Sequence, residues 1–159
     1  MKFKVGFGYD VHRLEKDYDL IIGGVHIPFE KGLVGHSDAD VLIHAIMDAL
    51  LGAAGLRDIG YHFPDTDPAF KGIDSKVLLQ KTMDMIREKG FKPGNIDATV
   101  SLQNPKIKDY IPEMQIILSR IIGIPSEDIS VKATTTEKLG FIGEGRGVAA
   151  QAVVLIYKD

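Results

Sequence analysis

Apolar side chains occupy every second position near the start of the chain: Phe3, Val5, Phe7, Tyr9 and Val11. Successive residues of a strand point to opposite faces, so this period of two predicts a strand that turns one face toward a core. The positions between them carry Gly6, Gly8, Asp10 and His12. We therefore predict a first strand with a buried apolar face and an opposite face of small and polar residues.

A helical pattern follows the first strands. Ser37, with Asp38 and Asp40 after it, has the form of a capping box in which Asp replaces the usual Glu. The apolar residues of 41–50 then recur at helical spacing. This pattern predicts a helix that begins after Ser37 and runs toward Gly52 or Gly55.

The rest of the chain alternates between further strands and helices. Apolar runs predict a short hairpin at 20–28, strands at 96–102 and 129–133 and a buried last strand at 148–157. Capping and end signals predict helices that begin near Asp74 and Pro112. The stretch 57–72, rich in Pro, Gly and Asp, is predicted to be a long binding loop. We expect an α/β (α+β-like) single domain over 1–159, a mixed β-sheet with helices packed on one face.

Composition excludes several classes of function. Of the 159 residues, 19 are Lys or Arg and 22 are Asp or Glu, so the basic excess typical of nucleic-acid binding is missing. The chain has no Cys, so any metal must be held by His, carboxylate or water. Without a signal-like N-terminus or an apolar run of about 18 residues, we expect a cytoplasmic protein with no membrane partner.

Three residues form a candidate metal site. Asp10 and His12 leave the same face of the first strand, and His44 shares a helix stripe with Asp40 and Asp48, which could orient its ring. The alternatives are a polar pair on a solvated strand face and an exposed histidine on a helix. Three N and O ligands with a vacant fourth position are typical of catalytic zinc.

Two other segments are suited to phosphate. His36 and Ser37 precede a helix, whose free N–H groups favour an anion, although Ser37 is alternatively a plain N-cap. The run KATTTEK at 132–138 offers amides and hydroxyls for a diphosphate, and Glu137 could hold magnesium. The alternative for this run is a Thr-rich strand end before a flexible Gly turn.

Three long motifs closely resemble those of the 2-C-methyl-D-erythritol 2,4-cyclodiphosphate synthases of the non-mevalonate isoprenoid pathway. They are GYDVHR at 8–13, the whole segment 35–72 and KATTTEKLGF at 132–141, and the likeness runs in order along the whole chain. The resemblance implies cyclisation of 4-diphosphocytidyl-2-C-methyl-D-erythritol 2-phosphate with release of CMP. It also implies a homotrimer with an active site at each subunit junction.

The resemblance further implies a role for each matching residue. Zn²⁺ would be held by Asp10, His12 and His44, and a second ion, Mg²⁺ or Mn²⁺, by Glu137. His36 and Thr135 would polarise and steady the phosphates, so these two, with Asp10 and His12, also count as substrate contacts. The methylerythritol side of the pocket would comprise Ser37, Asp58, Ile59, Gly60, Phe63, Asp65 and Asp67. The cytidine and diphosphate side, supplied by a neighbouring subunit, would comprise Pro105, Lys106, Ala133, Thr134 and Phe141.

One segment departs from the family pattern. Residues 143–147 read GEGRG, whereas family members read GRGEG. The family's arginine at the position of Glu144 faces the trimer axis and can hold the diphosphate of a downstream isoprenoid. We therefore expect prenyl diphosphates to bind this chain weakly or not at all. Two rival functions remain: a zinc phosphohydrolase or nuclease that releases a linear product, and a ligand-binding trimer without turnover.

Overall fold

A five-stranded mixed sheet forms the frame of the protein, which a computed structural model describes over residues 2–159. Its strands, in sheet order, are β4 (Lys31–Val34), β1 (Phe3–Lys16), β7 (Gly147–Tyr157), β5 (Lys92–Ser101) and β6 (Ile129–Thr134). β5 and β6 pair in parallel and every other neighbouring pair is antiparallel. The predicted hairpin is present as β2 (Leu20–Ile22) and β3 (Val25–Ile27). The predicted mixed sheet is thus confirmed.

Within the described part of the chain, five α-helices connect the strands: α1 (Val41–Ala53), α2 (Ile59–His62), α3 (Ser75–Glu88), α4 (Ile111–Ile122) and α5 (Gly140–Gly143). The prediction of an irregular loop at 57–72 was wrong, because α2 and a 3₁₀ turn at Pro68–Phe70 lie within it. Elements of one turn are too short to leave a periodic pattern. Among residues 2–159, no helix is both long and apolar enough to cross a membrane.

Asp40, not Ser37, is the N-cap of α1. Its Oδ1 accepts a hydrogen bond from the backbone N–H of Ile43 at 3.0 Å, the pattern of a side-chain cap. The predicted start after Ser37 was therefore three residues early. α1 is almost wholly buried and is apolar apart from His44 and Asp48, as expected for a helix enclosed between a sheet and other helices.

The predicted orientation of β1 was wrong for the single chain. The glycine face packs against α1: a Cβ atom on Gly6 or Gly8 would lie 1.9 Å from a carbonyl oxygen of Ala49 or Ala45. The alternating apolar residues therefore point away from the helices, and Phe7 is 64% exposed. The helix approaches so closely that only a hydrogen atom fits between the two backbones.

The last strand, β7, is buried on both faces over 147–150 and on one face only from Gln151 onward. Its small residues, including Ala150 and Ala152, lie beneath α1, whereas Val153 is exposed. Val153 pairs directly with Phe7 of β1, so the exposed apolar residues of the two strands form one continuous surface. The helices thus cover one face of the sheet and leave an apolar area on the other.

Candidate active site

The predicted metal group lies where β1 passes the first half of α1. Asp10 and His12 follow Gly8 on the face of β1 that meets the helices, and His44 lies on α1 next to Ala45, whose carbonyl touches Gly8. The close glycine contact therefore brings the His44 ring to the two strand side chains. His44 is 7% exposed, so the alternative of an exposed helix histidine does not hold.

Three ligand atoms converge within this group. Oδ2 of Asp10 lies 2.8 Å from Nε2 of His12 and 3.2 Å from Nδ1 of His44, and the two nitrogens are 3.2 Å apart. Ligands of a tetrahedral zinc ion at about 2.0–2.2 Å are separated by roughly 3.3 Å. The spacing and the donor set therefore fit zinc, and the described residues contain an Asp-His-His group able to hold a metal.

The outer nitrogens of both rings have partners of their own. Nδ1 of His12 donates to the carbonyl of Val34 at 2.9 Å, and Nε2 of His44 lies 2.9 Å from Oγ of Ser75. Each inner nitrogen can then present its lone pair to the centre of the group. Three such atoms repel one another unless a proton or a cation lies between them, so the arrangement favours a bound cation.

The charges of the group are coupled. Burial alone would raise the pKa of Asp10, but the hydrogen bonds and positive charges of His12 and His44 outweigh it and lower that pKa. Burial would lower the pKa of His12, yet its hydrogen bond to Asp10 and the charge of that carboxylate raise it. The site thus favours a negatively charged Asp10 next to a positive charge. A metal ion can supply that positive charge in place of the protonated histidines.

Neither helix carboxylate orients His44 as predicted. Asp40 accepts from backbone N–H groups, and Oδ1 of Asp48 accepts from the N–H of Ile59 at the start of α2. Burial raises the pKa of Asp48, and its bond from Ile59 opposes that change. The partner of His44 is instead Ser75, which sequence reasoning missed; its position next to the cap of α3 was the only signal.

A cavity of about 480 Å³ opens over the metal group. It brings together these predicted site residues: Asp10, His12, His36, Ser37, His44, Ile59, Gly60, Phe63 and Asp65. Nε2 of His36 donates to the carbonyl of Asp67, which ties the ring to the segment before α3. The side chain of Asp67 caps the 3₁₀ turn, and Asp58 precedes α2 as an exposed residue.

The remaining predicted residues lie elsewhere in the chain. A separate cavity of about 180 Å³ is lined by Pro105, Lys106, Ala133, Thr134 and Thr135. Phe141 lines a third cavity, and Glu137 is exposed in a left-handed turn with a φ of 54°. One chain therefore does not bring Thr135 and Glu137 to the metal group, and the roles of these residues stay predictions.

Comparisons with known proteins agree on one family. Residues 3–157 match the YgbB family. A 2-C-methyl-D-erythritol 2,4-cyclodiphosphate synthase of Bacteroides fragilis is 60% identical over 156 residues, 98% of each chain. The bifunctional IspDF from Campylobacter jejuni superposes with a TM-score of 0.95 at 45% identity; the match covers 99% of this chain and 43% of that one. A CDP complex of IspF from Plasmodium falciparum has a TM-score of 0.86 at 34% identity, with 99% and 98% covered.

Proposed function

The chain belongs to the YgbB family, and from this premise we propose that it converts 4-diphosphocytidyl-2-C-methyl-D-erythritol 2-phosphate into 2-C-methyl-D-erythritol 2,4-cyclodiphosphate and CMP. Relatives of 60% identity carry the name of this synthase. The observation that carries the proposal is that Asp10, His12 and His44 converge beneath the same cavity as His36. The enzyme is a lyase, a cyclodiphosphate synthase of the non-mevalonate isoprenoid pathway.

The reaction joins two phosphates of one substrate. An oxygen of the 2-phosphate forms a bond to the β-phosphorus, and the bond from that phosphorus to the bridging oxygen of CMP breaks, so CMP leaves with the electron pair. Because two anions must approach, catalysis consists mostly of positioning and of charge neutralisation. A zinc ion held by Asp10, His12 and His44 supplies positive charge beside the phosphate oxygens.

The chain's own residues hold the substrate in this geometry. The imidazole of His36 lies at the wall of the cavity, where its N–H can turn from the carbonyl of Asp67 to a phosphate oxygen. Phe63 and Phe70 stack edge to face at 5.5 Å and form an apolar wall that limits the access of water. Exclusion of water favours ring closure over hydrolysis, because water is the competing nucleophile.

The second ion of the proposal is Mg²⁺ or Mn²⁺ at Glu137. Its carboxylate is exposed, and the Glu137 N–H donates to Oγ1 of Thr135 at 3.3 Å, which keeps the two residues side by side. Magnesium is commonly bound by one or two carboxylates together with substrate phosphates. This arrangement suits an ion that arrives with the diphosphate and stabilises the charge on departing CMP.

A homotrimer completes the proposed site. The cavity over the metal group and the cavity with Pro105 and Thr135 are separate in one chain, so a neighbouring copy would supply the second. The exposed apolar surface of β1 and β7 supports association, because patches of this kind mark interfaces. The CDP complex of the Plasmodium falciparum relative supports a nucleotide diphosphate as the ligand. The proposed location is the cytoplasm, because such charged metabolites do not cross a bilayer unaided.

Phosphorus NMR of the purified protein with the cytidylyl substrate, zinc and magnesium tests this function. CMP and a cyclic diphosphate should form in equal amounts, and a chelator should stop both. His44→Ala, which removes a ligand while α1 keeps its apolar residues, is the control and should lose zinc and turnover. A linear phosphate product would instead support the phosphohydrolase, and no product with both metals present would contradict the proposal.

A further inference from the structure

The outer nitrogen of His44 is held by a buried pair of side chains that belong to neither the ligands nor the substrate contacts. Nε2 of His44 lies 2.9 Å from Oγ of Ser75, the first residue of α3. The Ser75 hydroxyl donates in turn to Oδ1 of Asp38. Ser75 is fully buried, so solvent does not reach its side chain. A series of two hydrogen bonds thus links His44 of the metal group, through Ser75, to the carboxylate of Asp38.

Which atom donates and which accepts along His44, Ser75 and Asp38 follows from the carboxylate of Asp38 at the outer end. An ionised carboxylate only accepts, so the single hydroxyl proton of Ser75 points to Asp38. Oγ of Ser75 is then an acceptor toward His44, and this requires a proton on Nε2. The neutral ring must in that case carry its lone pair on Nδ1, the atom that faces Asp10.

Asp38 is itself fixed by backbone donors. Its Oδ2 accepts from the N–H of Ser75 at 3.0 Å and its Oδ1 from the N–H of Asp40 at 3.2 Å. Although Asp38 precedes α1 in the chain, its side chain meets the first residue of α3, where free N–H groups and the helix dipole favour a negative charge. Backbone donors therefore hold the accepting carboxylate oxygens of Asp38 in place.

We propose that Ser75 and Asp38 are positioning residues for the metal: they hold His44 in the tautomer and orientation that present Nδ1 to the ion. This inference rests on the proposed metal site. It adds one residue that contacts a metal ligand, Ser75, and one that contacts Ser75, Asp38. Outer partners of a ligating histidine affect metal affinity by about 10- to 100-fold. α3 thereby becomes a structural support of the site, although it contributes no ligand.

Ser37 is the natural comparison, because its Oγ also lies near Nε2 of His44, at 3.2 Å. Its contact is longer, it accepts from the N–H of Ala39, and it lines the cavity where the substrate is proposed to bind. Its hydroxyl proton has no carboxylate partner among the contacts of the described residues. Ser37 therefore suits a role toward the substrate rather than toward the tautomer of His44.

The test compares zinc affinity in wild-type protein, Ser75→Ala and Ser37→Ala by competition with a chromogenic chelator. Ser75→Ala keeps the backbone N–H bond to Asp38 and the Asp74 cap of α3, so the fold should remain. Its zinc affinity should fall about 10- to 100-fold, whereas Ser37→Ala should retain wild-type affinity. Ser75→Cys, which keeps the shape of the side chain with a slightly larger atom that hydrogen-bonds only weakly, should also lose affinity.

Nitrogen-15 NMR of labelled histidine supplies a measurement independent of activity. His44 of the wild type should carry its proton on Nε2, and Ser75→Ala should show a mixture of the two tautomers. Unchanged zinc affinity together with an unchanged Nε2 proton in Ser75→Ala would overturn the inference and leave the metal site intact. A wild-type protein that binds no zinc would overturn both.

Discussion

Asp40 is a buried carboxylate that joins the start of α1 to the β2–β3 turn. Its two oxygens accept from the N–H groups of Gly23, Gly24 and Ile43. Burial raises the pKa of Asp40 to about 6; those hydrogen bonds act in the opposite direction and the charge of Asp38 adds to the rise. The folded protein therefore holds this proton at a pH where the unfolded chain has released it.

Asp40→Asn should flatten the pH dependence of stability. Between pH 3.8 and about 6 the folded state binds more protons than the unfolded state, so the contribution of Asp40 falls as pH rises. The loss amounts to about 3 kcal/mol of unfolding free energy across that window. The amide of the variant does not titrate, so it adds no pH dependence to the unfolding free energy. Its NH₂ group would face a backbone N–H that now donates to Asp40, and the variant is therefore less stable than wild type at every pH.

Urea unfolding at pH 4.5 and 7 measures this effect. The free energy of unfolding of Asp40→Asn should fall further below that of the wild type at pH 4.5 than at pH 7. Asp109→Asn, which removes an equal charge from an exposed position, controls for the change in net charge. An equal deficit at both pH values would show that Asp40 does not titrate differently in the folded protein.

At the scale of elements, the contact between β1 and α1 places the metal ligands. Gly6 and Gly8 allow the strand backbone to touch the helix carbonyls, and the next inward residues of the strand are then at the correct distance from His44. A larger side chain at either glycine would push α1 away from the sheet. The glycines thus have a structural role in the site although they bind nothing.

Gly8→Ala should destabilise the fold and weaken zinc binding together. The added Cβ would lie 1.9 Å from the carbonyl oxygen of Ala45 in the centre of α1, so backbone atoms must shift. Overpacking typically costs about 1–3 kcal/mol of unfolding free energy, and the contact with a backbone atom places Gly8→Ala at the upper end of that range. Urea unfolding and zinc competition measure both effects on the same sample.

Gly52→Ala is the matched control for this prediction. Gly52 is an exposed residue of α1, and a Cβ atom added there would meet no atom within 4 Å. Alanine in a helix is favoured over glycine by about 0.5–1 kcal/mol, so the control should be slightly more stable than wild type. Equal destabilisation by the two substitutions would contradict the packing argument.

At the scale of the whole molecule, the apolar sheet face predicts self-association. We expect a trimer of about 52 kDa, three times the 17.4 kDa of the chain, since closed cyclic assemblies are common among homo-oligomers. Phe7 lies in the middle of this face and is exposed in the single chain. Phe7→Ser should therefore leave the fold of each subunit intact while it weakens the trimer and the shared site.

Light scattering and activity at the same concentrations test this prediction. Val77→Ser, which replaces an exposed apolar residue of α3 outside the sheet face, is the control and should remain trimeric. On dilution of Phe7→Ser, the molecular mass measured in solution and the activity should fall together. A wild-type monomer with full activity at low concentration would show that the site is not shared.

The exchanged charges at 143–147 lead to a second prediction for the assembly. Nε of Arg146 donates to Oε2 of Glu144 at 2.8 Å, so the arginine charge already has a partner in its own chain. In the expected trimer, where the family resemblance places position 144 at the axis, three such ion pairs would offer a prenyl diphosphate no free positive charge. Calorimetry should therefore detect little binding of geranyl diphosphate by the wild type and tighter binding by Glu144→Arg. Tight binding of one ligand per wild-type trimer would contradict this expectation.

The sequence alone determined the longer helices and strands and which residues of each share a face, but not the one-turn elements within 57–72. The period of two in β1, the helical spacing of α1 and the end signals of α3 and α4 all predicted elements that the structure contains. Local periodicity is sufficient for these elements and for the shared face of Asp10 and His12, which are two positions apart on a strand. His44 lies 32 residues beyond His12, so its place in the metal group was predicted from its residue type and from the family resemblance, not from local spacing.

Only the tertiary structure decided which face meets which neighbour. Alternation shows that Gly8 and Phe7 lie on opposite faces of β1, but the close approach of α1 selected the glycine face for burial. The cap at Asp40 and the support of His44 by Ser75 likewise depend on contacts between segments distant in sequence. Such contacts arise from the packing of elements in three dimensions, which the periodicity of a single segment does not record.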